Sequence, residues 1–363
     1  MRLFVKEKVF PLFFVLLIAC MLVFVYGGLI VMSKESPKVH PSSLSTSNLK
    51  RKVLVVLFGI ASRGLPSTWS QMHKKIIIPL EKSGYNVTVH IINNDIGDVL
   101  IDGKSLNPDA FNALGFKSVD HYKQSDIDKV IFSHCTRHIN CSKNQQKLQQ
   151  DRVYLNIFRQ MFLEQKVADY LFEHGDHFDL ALAAISDMYP LIELDSNDVL
   201  HASKLSSAIY MSGQSDQKGY TNGLYIGRPM LVAKSLSGLD HESLYDHFEL
   251  IPFYERRLKM SMDEMGIGRF KSSFNFCKMR ASHCCSWQGD EFVFSSQTDE
   301  RLKAIFQSAK ELQNDGYVLS PARNLKGFEK KYYLFKRSVL KFFGWEFSSC
   351  MANTISELER KKI

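Results

Sequence analysis

Asp187 stands two residues beyond the apolar stretch Phe178–Ile185, in the sequence Ile185-Ser186-Asp187-Met188. A carboxylate delivered straight from an apolar run is costly unless it emerges at a sheet edge or meets a cation. Two kinds of chemistry fit such a residue. It can act directly in catalysis, or hold Mn²⁺ or Mg²⁺ against a diphosphate so that the ion neutralises a leaving group. No second carboxylate lies two residues away. The plain alternative is an aspartate that caps a turn at a strand end.

Two further stretches offer binding groups. Gly59-Ile60-Ala61-Ser62-Arg63-Gly64 follows an apolar run, and its Gly59 and Arg63 fit close backbone approach and pairing with phosphate. The same pattern also suits an ordinary turn. Between Gly219 and Tyr225, the residues Gly219, Tyr220, Asn222, Gly223 and Tyr225 combine glycines, an amide and two aromatic rings, which suits a sugar-sized ligand or a hairpin with packed rings. Glu255, Asp263 and Glu264 are the carboxylates available as a general base, against the reading that they are solvent-facing helix charges. His134, Cys135, His138 and Cys141 have zinc-like spacing, but thiols in an oxidising compartment favour disulfides.

These residues need a scaffold. Val53–Phe58 is a continuous apolar run, a helical pattern follows over Ser67–Lys82, and Tyr85–Ile92 reads as a second strand. That βαβ order, with strands apolar on both faces, predicts an α/β fold whose sheet is covered on each side. A long helix is expected over Gln145–Glu173, then the strand Phe178–Ile185 and short strands at Ala208–Met211 and Leu224–Ile226. Helices are expected over Pro252–Met265 and Thr298–Asn314. Ligands in such sheets bind beyond the carboxyl ends of the strands, which is where Gly59 and Asp187 fall.

The N-terminus sets the compartment. Val9–Met32 carries no charge over 24 residues, long enough at ~1.5 Å per residue to cross a ~30 Å hydrocarbon layer. Its length favours a retained signal-anchor over a cleaved signal peptide, and Arg2, Lys6 and Lys8 favour a cytosolic N-terminus. The expected division is a tail over 1–8, a membrane span over 9–32, a stem over 33–52, a main domain over 53–290 and a helical extension over 291–363. Of the +8 net charge, +6 sits in residues 1–52, leaving 38 basic and 36 acidic side chains in 53–363. A nucleic-acid partner therefore has little support. Six cysteines lie past the span, where an oxidising lumen favours disulfides, and adjacent Cys284 and Cys285 are each expected to have a distant partner. Asn86 and Asn140 head glycosylation sequons, with Asn140 preferred because Asn86 falls in a strand.

Leu155–Gln160, the strand Phe178–Leu182 leading to Asp187, Gly219–Gly227 and Phe276–Ala281 together resemble a loosely defined group of glycosyltransferase-like proteins of algae, protists and large viruses. The likeness spans roughly residues 53–281. It implies a GT-A-like, Rossmann-related mixed sheet flanked by helices, here preceded by one transmembrane helix. It also implies a nucleotide-sugar donor, a glycan or glycoprotein acceptor, and a type II membrane enzyme facing the lumen of the Golgi or another secretory compartment. Where that group more often has Arg-Pro-Asp, this chain has Ile185-Ser186-Asp187. Two other readings remain. Ser62–Trp69 has the flavour of the phosphate loop of a sulfotransferase using 3′-phosphoadenosine 5′-phosphosulfate, and the missing arginine suits a non-catalytic glycan-binding ectodomain.

Overall fold

Val53–Phe58 is buried on both faces, and that burial makes it the centre of the fold. The computed structural model describes residues 51–97, 106–214, 219–238, 254–280, 284–287, 299–315 and 318–321. The strands are β1 (Arg51–Gly59), β2 (Tyr85–Asp95), β3 (Val119–Lys123), β4 (Leu180–Ile185), β5 (Met188–Pro190), β6 (Ala208–Ser212), β7 (Leu224–Gly227), β8 (Gly268–Ser272), β9 (Phe276–Arg280), β10 (Cys284–Trp287) and β11 (Val318–Pro321). The main helices are α1 (Ala61–Met72), α2 (Gln124–Arg137), α3 (Arg152–His174), α4 (Ser196–Ala202), α5 (Pro229–Leu236), α6 (Tyr254–Glu264) and α7 (Asp299–Asn314).

Seven strands form a mixed sheet in the order β3-β2-β1-β4-β7-β6-β8. β1 pairs in parallel with β2 on one side and β4 on the other, Val53 lying opposite Val87 and Leu180. Only β7 is reversed, antiparallel to both β4 and β6, while β6 runs parallel to β8. Four strands build a second sheet, β11-β10-β9-β5. The α/β class and covered sheet expected from the apolar runs are thus present, and the sheet is mixed and flanked by helices, as the resemblance implied. No helix among the described residues is long and apolar enough to cross a membrane, and the apolar stretch 9–32 lies outside them.

Helix α1 begins at Ala61, six residues before the expected start at Ser67. A neighbouring strand supplies what the local sequence lacks: Asn93 Oδ1 at the end of β2 accepts the Ala61 N–H at 2.9 Å, satisfying one of the first-turn donors. The helix passes over Pro66 and continues through a π-helical turn, His73–Ile77, into Ile78–Lys82. The long helix expected from Gln145 is instead broken at Asp151, whose side chain accepts the Val153 N–H at 2.9 Å and starts α3 afresh.

Buried polar groups tie these layers together. Glu164 on α3 accepts from Gln160 Nε2 at 3.0 Å, from the Tyr225 hydroxyl at 3.4 Å and from the Tyr254 hydroxyl, joining α3 to β7 and α6. Burial pushes the Glu164 carboxyl pKa up against the opposing pull of these donors and of Arg257. Helix α7 and strand β11 are docked against the rest of the fold. Lys75 Nζ donates to Ser308 Oγ at 2.6 Å and to the Pro190 and Leu191 carbonyls at 3.2 Å, Arg301 pairs with Asp195 at 2.8 Å, and β11 completes the second sheet. Burial lowers the Lys75 pKa to about 8, with Glu311 pulling the other way.

Two cysteine pairs are bonded, Cys135–Cys141 and Cys277–Cys285. The bond from Cys277 to Cys285 bridges paired strands eight residues apart, so the distant partner expected for Cys285 gives way to a local one. With Cys135 and Cys141 joined, the zinc spacing around them has no free thiols. Asn86 lies on β2, as expected, and is exposed there, while Asn140 is partly exposed.

Helix α1 approaches the turn after β4 so closely that a Cβ on Gly64 would lie 2.3 Å from the Ser186 carbonyl oxygen and 2.6 Å from Asp187 Cα. Gly64→Ala is therefore expected to destabilise the protein by about 1–3 kcal/mol through forced backbone shifts. Chemical denaturation of the full-length variant checks this, and an unchanged midpoint would show that the helix can retreat freely.

Candidate functional site

Four of the residues expected to do chemistry, Gly59, Arg63, Asp187 and Asn222, come together at the carboxyl edge of the large sheet, near β1 and β4. After β1 the chain passes to β2 on one side, whereas β4 lies on the other, so this is the topological switch point at which open α/β sheets hold ligands. Gly59 ends β1 with φ +132°, and a Cβ there would lie 2.8 Å from Ser186 Oγ. Only glycine suits both the backbone and the space. The Ser186 N–H donates to the Phe58 carbonyl at 2.7 Å, and Thr68 Oγ1 donates to the Ser186 carbonyl at 3.1 Å. The Met279 N–H donates to the Asp187 carbonyl at 2.8 Å. Two adjacent residues, Ser186 and Asp187, thereby tie β1, α1 and β9 together.

Asp187 is 5% exposed and forms an ion pair with Arg63 from the first turn of α1. The cation that the end of β4 lacks in its own sequence arrives from another element. Burial acts to raise the Asp187 pKa, but Arg63, Arg280 and Lys278 together outweigh it and hold the carboxyl below its ordinary value. Lys278 is also desolvated, which lowers its pKa, while Asp187 opposes that shift. Its ammonium donates to Asn222 Oδ1 at 3.2 Å. Lys278 and Arg280 are two apart on β9 and so share a face of that strand.

The loop before β7 reaches the same edge because β7 runs antiparallel to β4, and the Gly223 carbonyl accepts the Ile185 N–H at 3.1 Å. Asn222 joins the cluster through Lys278. Gly219 packs against the backbone of Glu255, whose carbonyl accepts the Tyr220 N–H at 2.8 Å, and Glu255 acts electrostatically on Lys278. Three expected site residues sit elsewhere. Tyr225 is 0% exposed, its hydroxyl directed at Glu164 in the core, so its ring offers no face to a sugar. Asp263 accepts from the Tyr220 hydroxyl at 3.2 Å and pairs with Lys259 on an exposed side of α6. Tyr220 itself lies under Arg269, 4.6 Å from the ring centre.

Several groups at this edge escaped the sequence reading. Lys278 and Arg280 are unremarkable in isolation, and only the pairing of β5 with β9, with Met188 opposite Lys278, carries them to Asp187. Asn93, Asn94 and Asp95 close β2 at the same edge, and Asn93 Nδ2 lies 3.2 Å from His121 Nδ1. A run of polar residues directly after an apolar strand was the available signal for these three. Two donors here have no partner among the described residues, Arg63 Nε and Ser186 Oγ.

The donor set does not fit the Mn²⁺ or Mg²⁺ expected at Asp187. Hard divalent ions gather several oxygen ligands, whereas this carboxylate is engaged by Arg63 and lies in the field of Lys278 and Arg280. Among the described residues there is no group of three or more His, Cys, Asp or Glu side chains placed to hold a metal. No known protein family matches the chain, and comparison with curated proteins finds no relative.

A carboxyl whose pKa is depressed by folding adds stability above its unfolded value, near 3.8, and loses it as the pH falls through the lower folded value. Asp187→Asn is accordingly expected to be less stable than wild type at neutral pH, with the gap narrowing on acidification through the carboxylate range. Thermal melts across pH test this. A gap that is constant with pH would show that the charge of Asp187 contributes nothing.

Proposed function

We propose that the chain is a glycosyltransferase of the GT-A-like class, moving a sugar from a nucleotide-sugar donor to a glycan or glycoprotein acceptor. The observation that carries the reading is the convergence of Arg63, Asp187, Asn222, Lys278 and Arg280 at the switch point of the sheet. Cations gathered at the strand ends of a switch point suit the diphosphate of an activated sugar. The polar ends of β2, Asn94 and Asp95, lie on the side where doubly wound sheets hold the nucleoside. The likeness to glycosyltransferase-like proteins favours the same class, as does a sheet that is parallel through its first four strands and reversed only at β7.

In this reaction the acceptor oxygen forms a bond to the anomeric carbon as the bond from that carbon to the diphosphate oxygen breaks. The nucleoside diphosphate leaves with the bonding electron pair, and the acceptor proton passes to a carboxylate. Glu255 is assigned that role over Asp263, because it borders the Gly219 loop and acts on Lys278. The two disulfides favour an oxidising compartment, in keeping with a type II protein held through residues 9–32 and facing a secretory lumen such as the Golgi. The sulfotransferase alternative loses its motif, because Ser62–Trp69 is helix rather than a phosphate loop.

Full-length protein in detergent, screened with UDP- and GDP-sugars, is expected to bind a donor and release its sugar to an acceptor. Glu255→Gln is expected to retain donor binding while turnover falls by about 10²–10⁴-fold. Saturable glycan binding without donor binding, or sulfate transfer from 3′-phosphoadenosine 5′-phosphosulfate, would contradict the reading.

A further inference from the structure

We infer that Arg63, Lys278 and Arg280 form a cradle for a diphosphate group that needs no divalent metal, the chain's own cations supplying the positive charge. The inference rests on the glycosyltransferase reading for its physiological ligand, and on the site's geometry for its chemistry.

One carboxylate needs one cation. Asp187 has Arg63, yet two more cations from a different strand are directed at the same place. Among the described residues, Glu255 is the other carboxylate acting on Lys278, so three positive groups there face two negative ones. Arg63, Lys278 and Arg280 are each partly exposed, so their positive charges stay open to an anion arriving from solvent while they face the nearly buried Asp187 carboxylate. The unpartnered Arg63 Nε and Ser186 Oγ add donors at that edge, and Lys278 commits only one of its three ammonium hydrogens to Asn222.

The strand that carries the two extra cations is fixed in place before any ligand arrives. Gln214 grips β9 through both edges of its amide: Nε2 donates to the Phe276 carbonyl at 3.0 Å, and Oε1 accepts the Phe276 N–H at 3.1 Å. Cys277, next to Lys278, is bonded to Cys285 on β10, and β5 pairs along the other edge. Donors held this rigidly lose little freedom when an anion binds, which is how fixed charges favour a developing or bound phosphate charge. A divalent ion in this place would face three cations, which is why the side chains replace it rather than assist it.

Inorganic pyrophosphate is the direct probe. Titrated calorimetrically into full-length protein in excess EDTA, it is expected to bind, more tightly than orthophosphate and no more tightly when Mn²⁺ replaces EDTA. Lys278→Met and Arg280→Gln are each expected to weaken it by about tenfold or more. Lys278→Arg and Arg280→Lys, which keep the charge, are expected to restore most of the loss and guard against a folding defect. Binding that requires Mn²⁺, or that survives both neutralising substitutions, would overturn the cradle. If pyrophosphate binds in EDTA and no nucleotide sugar is turned over, the cradle stands and the transferase reading fails. If turnover occurs only with Mn²⁺, the transferase reading stands and the cradle fails.

Discussion

The ion pair between Arg63 and Asp187 is the constraint around which the rest of the site is arranged. It spans the switch point of the sheet, joining the first turn of α1 to the turn that follows β4. A pair whose carboxylate is almost wholly out of water is maintained only when both partners are held in place. Gly59 and Gly64 let the backbones approach, Thr68 and Phe58 hold Ser186 in position, and Asn93 sets where α1 begins. The tightness of this corner follows from the need to keep one carboxylate and one guanidinium together.

A second consequence concerns β9. Because the Asp187 carbonyl accepts the Met279 N–H, the strand is drawn to the same corner and presents Lys278 and Arg280 to the carboxylate already there. The small sheet to which β9 belongs thereby brings two cations to Asp187 as well as packing beside the large sheet's edge. Its outer strand, β11, is preceded by α7, which is locked to the large domain through Lys75 and Arg301. Residues far along the chain thus buttress a corner that begins at Gly59.

Much of the scaffold was legible in the sequence, because continuous apolar runs such as Val53–Phe58 have few alternatives to a covered strand. Asp187 was legible for a related reason, as a charge at the end of such a run. What escaped prediction was set by contacts distant in sequence. The true start of α1 depends on Asn93, 32 residues away, and the positions of Lys278 and Arg280 depend on β5 pairing with β9. Tyr225 misled because a ring beside a glycine-bearing loop looks available, whereas the alternation of β7 turns it inward onto Glu164. Asp263 was indistinguishable from Glu255 until the Gly219 loop selected one end of α6.

A double-substitution cycle on Arg63 and Asp187 most directly tests whether the two act as one unit. Arg63→Met, Asp187→Asn and the double variant would be compared with wild type by chemical denaturation of the full-length protein. The single changes are predicted to cost about 3–5 kcal/mol each and the double variant clearly less than their sum, since removing both partners leaves no buried charge from the pair unmatched. Additive losses would contradict the account, because they would mean that the carboxylate and the guanidinium stabilise the corner independently.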